Sequence, residues 1–264
     1  MTRPIDLVAQ SIELAAEGLS TSEVARRVDV PRSTVRDWLA GRVPAVYERN
    51  GTGCTTCGGA HDLDALPARY VYLLGMYLGD GCLSAHPRGV FKLRISLDAR
   101  YPGIAAECER AMHAVMPKNR IGRVGYGTWH ELYAYSKSWP CLFPQHGPGR
   151  KHERKIVLTD WQRRLVARWP ALLLRGLIQS DGCRFQNTGR RWLHPRYSFA
   201  NSSDDIKGIF CEACDLMGLR WTVSGEKTIY VSRKADVATL DRFVGPKNEP
   251  ARLVWSPAPV LEAP

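Results

Sequence analysis

Along residues 1–44 the apolar positions recur at helical spacing. Ile5, Val8, Ile12 and Leu14 predict the buried face of a first helix, and Gly18 suits its left-handed end. Ser20-Thr21-Ser22-Glu23 reads as a capping box opening a second helix, with Val24, Ala25 and Val28 turned inward. Asp29-Val30 predicts a tight turn, and Pro31 fits the first turn of a third helix, where its missing N–H costs nothing. Val35, Trp38 and Leu39 are that helix's buried face, leaving Arg32, Ser33, Thr34 and Arg36 exposed near its start. Long donors and short hydroxyls at the front of a helix suit contact with base edges and phosphates, although the same pattern serves a helical hairpin used only for packing.

After a polar stretch rich in Gly and Thr (residues 45–66), helical and strand-like patterns alternate from Leu66 to Pro246. A helix is expected at 68–79, strands at 82–86 and 90–97, a helix at 102–115, strands at 120–126 and 130–136, and a helical patch at 137–143. The order then returns, with a helix at 171–180, strands at 183–188 and 192–200, a helix at 203–217, strands at 220–224 and 227–231, and a helix at 234–243.

Particular residues return with it. Tyr72-Leu-Leu-Gly-Met-Tyr-Leu-Gly-Asp-Gly-Cys82 reappears as Leu173-Leu-Arg-Gly-Leu-Ile-Gln-Ser-Asp-Gly-Cys183, the Asp-Gly-Cys triplets standing 101 positions apart. Cys108-Glu109 recurs as Cys211-Glu212, and Phe143 with Gly147-Pro148-Gly149-Arg150-Lys151 as Phe243 with Gly245-Pro246-Lys247. Three markers in one order and one register indicate two copies of one unit, folded as a pseudo-symmetric pair. The expected domains are a helix-turn-helix at 1–44, a linker at 45–66, a first repeat at 67–156, a second at 157–249 and a Pro-containing tail at 250–264. The fold class is α+β, a tandem αββαββα pair preceded by a small all-α domain.

Charge adds a partner. The 264 residues are 44% hydrophobic and 24% charged, which excludes wholesale disorder, and the formal net charge of +11 points to a polyanion. Residues 1–44 are close to neutral, whereas 118–175 hold twelve Lys/Arg against three Asp/Glu. No apolar run reaches the roughly 18 residues of a membrane span, and the N-terminus lacks the apolar core of a secretion signal, so a cytoplasmic, nucleoid-associated protein with reduced thiols is expected.

Leu73–Gly81 and Leu174–Gly182 resemble the LAGLIDADG signature of homing endonucleases, over about residues 66–249, and the N-terminal region resembles the helix-turn-helix of bacterial regulators and resolvases. Small residues at Gly75, Gly79, Gly176 and Ser180 permit two helix backbones to approach, with Leu74, Leu78, Leu173 and Leu177 filling the flanks. Asp80 and Asp181 then emerge together at adjacent helix C-termini, where the macrodipole disfavours negative charge and the two carboxylates repel. A hard divalent ion, Mg²⁺ or Mn²⁺, held by Asp80, Asp181 and the backbone of Gly79 and Ser180, is the natural compensation. The plainer reading, that each Asp-Gly merely ends a helix, explains one copy better than two. The resemblance implies metal-dependent cleavage of phosphodiesters, each aspartate helping to cut one strand, and a lysine late in each repeat; those positions are Lys151 and Lys247. The signature departs from its consensus at Leu78 and Gln179, where an earlier acidic residue stands, and at Arg175. His146 and His152 are given no role.

The resemblance also implies two sheets forming a saddle on double-stranded DNA. Candidate contacts are Arg88, Lys92, Arg94, Arg184, Arg190, Arg191 and Arg196, all on or beside the expected hairpins. Cys54-x-x-Cys57 with His61 has half the ligand pattern of a zinc knuckle, with Asp62, Cys141 and His146 as candidates for a fourth ligand. Cys211-x-x-Cys214 shares the spacing but lies on an amphipathic helix and reads as core. The function expected is a monomeric, site-specific DNA endonuclease. A non-cleaving helix-turn-helix regulator on the same scaffold and an RNA-splicing maturase are the alternatives.

Overall fold

The computed structural model describes residues 6–42, 54, 57, 59, 61–189 and 192–249. It divides into two compact units, Met1–His61 and Asp62–Pro264.

In the first unit, α1 (Asp6–Ala16), α2 (Thr21–Arg27) and α3 (Arg32–Leu39) close on Val8, Leu14, Val24, Ala25, Val28, Val30, Val35 and Trp38. Ser20 begins α2 as the cap, its hydroxyl accepting from the Glu23 N–H and the Glu23 carboxylate accepting from the Ser20 N–H. Gly18 is left-handed at φ +93°, and Asp29 at φ 51° makes the turn between α2 and α3. Pro31 stands one residue before α3 rather than inside it. Ile5 lies outside the described residues. Ile12 departs from expectation, being 50% exposed. The inward stripe of α1 runs through Val8, Ser11 and Leu14, and Ser11 is tolerated there because its hydroxyl donates to the Leu7 carbonyl at 2.6 Å.

The second unit carries the duplication. α4 (Arg69–Asp80) leads into β1 (Gly81–His86) and β2 (Val90–Asp98), then α5 (Pro102–Val115), β3 (Ile121–Gly125), β4 (Trp129–Ser136) and the short α6 (Trp139–Leu142). After α7 (Asp160–Arg168) the order repeats as α8 (Pro170–Asp181), β5 (Gly182–Gly189), β6 (Trp192–Ala200), α9 (Asp204–Leu216), β7 (Trp221–Ser224), β8 (Thr228–Val231) and α10 (Lys234–Asp241). The two antiparallel sheets have the same order, β1-β2-β4-β3 and β5-β6-β8-β7. α7 was not expected, although Thr159 and Gln162 form its capping box.

Alternation sorts each strand by face. Leu93, Ile95 and Leu97 of β2 and Tyr197 and Phe199 of β6 point into one continuous core around α4 and α8. Lys92 and Arg94 take the opposite face of the first sheet, and Arg196 that of the second.

Between the halves, α4 and α8 meet backbone to backbone. A Cβ on Gly75 would lie 2.7 Å from the Leu173 carbonyl oxygen and 2.9 Å from the Gly176 Cα, and one on Gly176 would strike the Tyr72 carbonyl. Ser180 behaves as a small residue because its hydroxyl folds back on α8, donating to the carbonyls of Gly176 at 2.9 Å and Leu177 at 3.0 Å. The Tyr72 hydroxyl crosses the seam to the Gln179 Oε1 at 2.7 Å. Arg175 faces away from the seam and is buried; its Nε and Nη2 grip both oxygens of buried Glu107 on α5, at 2.8 and 2.5 Å, while Nη1 donates to the carbonyls of Phe243 and Val244. No helix among the described residues is long and apolar enough to cross a membrane.

Candidate active site and nucleic-acid surface

The close approach of α4 and α8 places Asp80 and Asp181 at the last residue of each helix. A Cβ on Gly79 would stand 3.2 Å from the Asp181 Oδ2, so the second carboxylate lies against the end of the first helix. Burial and the charge of Asp181 push the Asp80 carboxyl up to about 6, against the pull of Lys247 and Lys151. Burial also raises Asp181, opposed by a hydrogen bond from the Asn201 amide at 2.7 Å and by both lysines. Burial is thus the main cost of ionising either acid, and the two lysines offset part of it.

The lysines inferred by resemblance occupy matching positions. Lys151 Nζ donates to the carbonyls of Tyr77, Leu78 and Gly79 at 2.6, 2.8 and 2.6 Å, closing the C-terminal turn of α4. Lys247 Nζ donates to the Ser180 carbonyl at 2.9 Å on α8. Burial pushes the Lys151 ammonium down to about 8 despite the attraction of Asp181 and Asp80, and burial lowers Lys247 likewise. The Gly79 and Ser180 carbonyls, expected to be metal ligands, therefore already accept hydrogen bonds from these ammonium groups. A cation beside them must share or displace those bonds, which a carbonyl with two lone pairs permits.

Each carboxylate opens into its own hollow. Asp80 lines one of about 860 Å³ with Ser96, Asp98, Arg100 and Trp129 at the inner ends of β2 and β4. Asp181 lines another of about 430 Å³ with Lys151, His152, Asn201, Ser202 and Lys227. His152 is thus near the site, while the His146 ring contacts the Phe143 carbonyl. Asn201 and Lys227 were missed from the sequence; the signal for Asn201 was a polar residue at a register position that is apolar in the first repeat. Gly81 pairs with Ile95 and Gly182 with Phe199, so two positions further on Asn201 answers to Leu97.

The expected DNA contacts divide. Arg88 is exposed at the β1–β2 hairpin, with φ 64°. Arg94 lies on the open face of its sheet, donates to the Cys82 Sγ at 3.5 Å and keeps a buried Nε without a hydrogen-bond partner. Lys92 shares that face but is bound to the buried Glu131 at 2.6 Å and lies over the Tyr133 ring. Arg196 lies over the Tyr230 ring and donates to the Ser232 hydroxyl at 2.7 Å. Arg184 is a correction: it pairs with core-facing Tyr197, so its guanidinium sits on the helix side of the sheet, fixed to both oxygens of Asp241 at 2.7 and 2.9 Å. Arg190 and Arg191 lie outside the described residues. In the first unit, Arg32, Ser33 and Arg36 are exposed and Thr34 half-buried at the start of α3.

Residues 4–41 match the family model of the homeodomain-like domain. No curated protein matches the chain. Among solved structures, the chain is similar to variants of the homing endonuclease I-DmoI at 15% identity and a TM-score of 0.45, over 69% of this chain and 96% of that one. It is also similar to the homing endonuclease I-WcaI bound to its DNA recognition sequence (13%, TM-score 0.45, 67% and 80%) and to the LAGLIDADG meganuclease I-AabMI bound to uncleaved DNA (8%, TM-score 0.41, 65% and 81%).

Proposed function

We propose that the chain is a divalent-metal-dependent endonuclease of the LAGLIDADG homing type, acting as a cytoplasmic monomer on a long, non-palindromic site in double-stranded DNA. The observation that carries this reading is the meeting of two half-buried carboxylates at the seam of the duplicated halves. Their donor set is oxygen only, which suits Mg²⁺ or Mn²⁺, and the burial that raises both carboxyls makes their ionised forms costly unless such an ion stands beside them. Asp80 and Asp181 would hold it. A bound ion supplies an acidified water and neutralises charge developing on the phosphate.

The protein's own contribution is positioning and charge. Lys151 and Lys247 place ammonium groups beside the carboxylates, where an anionic phosphate would be drawn in. The two hollows give each carboxylate separate access to one strand. Arg94 and Arg196 on the open sheet faces, with Arg32 and Arg36 of the helix-turn-helix, supply donors for groove and backbone.

The test is selection of cleaved sites from a random duplex library with Mg²⁺, beside Asp80→Asn and Asp181→Asn variants. The expected result is cutting by the wild type and binding without cutting by either variant. Duplexes bound by the wild type but never cut would replace this reading with that of a DNA-binding regulator.

A further inference from the structure

The segment following the helix-turn-helix contains a convergence that packing does not explain. Residues 49–62, RNGTGCTTCGGAHD, include no large apolar side chain, so no hydrophobic core draws them together. Yet the ligand atoms of Cys54, Cys57 and His61 all lie within 4.8 Å of one another. Two hydrogen bonds tie the described residues together: the Cys54 N–H donates to the Gly59 carbonyl at 2.8 Å, and the Gly59 N–H donates to the Cys57 Sγ at 3.4 Å. No cysteine among the described residues is in a disulfide.

We propose that Cys54, Cys57 and His61 form a structural zinc site. Tetrahedral zinc takes sulfur at about 2.3 Å and imidazole nitrogen at about 2.0–2.1 Å, which sets neighbouring ligand atoms about 3.5–3.8 Å apart. The Cys57 Sγ and His61 Nε2 stand 2.8 Å apart, so entry of the ion requires them to separate by less than an ångström. Soft thiolates with an imidazole select zinc over the hard ions that suit the carboxylates of the seam. Spacing alone does not make such a site: Cys211 and Cys214 repeat the C-x-x-C pattern on α9, where burial pushes the Cys211 thiol up to about 11 and raises Cys214 further.

The experiment uses the full chain, purified without chelators and given equimolar Zn²⁺, with bound metal counted by mass spectrometry. The expected content is one zinc per chain in the wild type, in Cys211→Ser and in Asp80→Asn, and none in the Cys54→Ser/Cys57→Ser double variant. His61→Cys exchanges one zinc ligand for another and is expected to retain the ion, whereas His61→Ala weakens its hold at least tenfold. X-ray absorption on the loaded wild type is expected to show at least two sulfur neighbours and an imidazole. A wild type that retains no zinc, or a double variant that keeps it, overturns the proposal. Because Asp80→Asn keeps its zinc, failure of this site and failure of the nuclease reading are separately visible.

Discussion

At the scale of single residues, Asp80 is the most informative group. Its pKa of about 6 lies above the ordinary carboxylate value, so between about pH 4 and 6 the native chain holds a proton that the unfolded chain has released. Without metal, stability therefore falls as pH rises through that window. Asp80→Asn is expected to flatten this part of the curve and to raise the melting temperature in chelator at pH 8 by several degrees. Mg²⁺ is expected to raise the wild-type melting temperature at pH 8 and to have little effect at pH 5, where the proton competes; calorimetry checks both, and equal slopes in wild type and variant would count against the seam's repulsion. The arginines offer a second contrast. Arg184→Ala unpairs Asp241 and is expected to cost about 1 kcal/mol of stability while leaving DNA affinity nearly unchanged. Arg196→Ala, on the open face, is expected to do the reverse in a binding titration paired with thermal melts.

At the scale of elements, the seam between α4 and α8 has no room for side chains, and its outer side is locked by Arg175. Arg175→Ala leaves Glu107 charged, buried and unpaired, at an expected cost of about 3–5 kcal/mol in chemical denaturation. Most of these elements were legible in the sequence because a duplication prints its pattern twice: what is ambiguous in β3 and β4 is resolved by β7 and β8. The helix α7 escaped because it has no counterpart in the first repeat, although its Thr159–Gln162 capping box was readable. Arg184 was counted among the candidate DNA contacts because strand parity depends on where pairing begins; Tyr197, buried opposite it, fixes the face only once the register is known. The acids at the seam were found from spacing and glycines. Asn201 required knowing which strand end returns to the helix terminus, a tertiary fact.

At the scale of the whole molecule, one chain carries a segment that matches the homeodomain-like family model and a duplicated unit that holds the sequence's excess of Lys and Arg. Under the proposed function the former adds affinity and footprint without touching chemistry. Arg32→Ala combined with Arg36→Ala is expected to shorten the nuclease-protected footprint, to weaken binding at least tenfold and to leave single-turnover cleavage at saturating protein unchanged. A fall in the cleavage rate itself would show that the two parts are not separable in this way. Duplication also left the halves unequal in one respect. Asn201 steadies Asp181, while Leu97 stands at the matching position beside Asp80 and offers no hydrogen bond. One blade of the pair is thus set and the other loose, so the two strands should not part together. A time course on supercoiled plasmid should pass through an open-circle stage before the linear product, and Asn201→Leu, which makes the two halves alike, should reduce the open circle that accumulates.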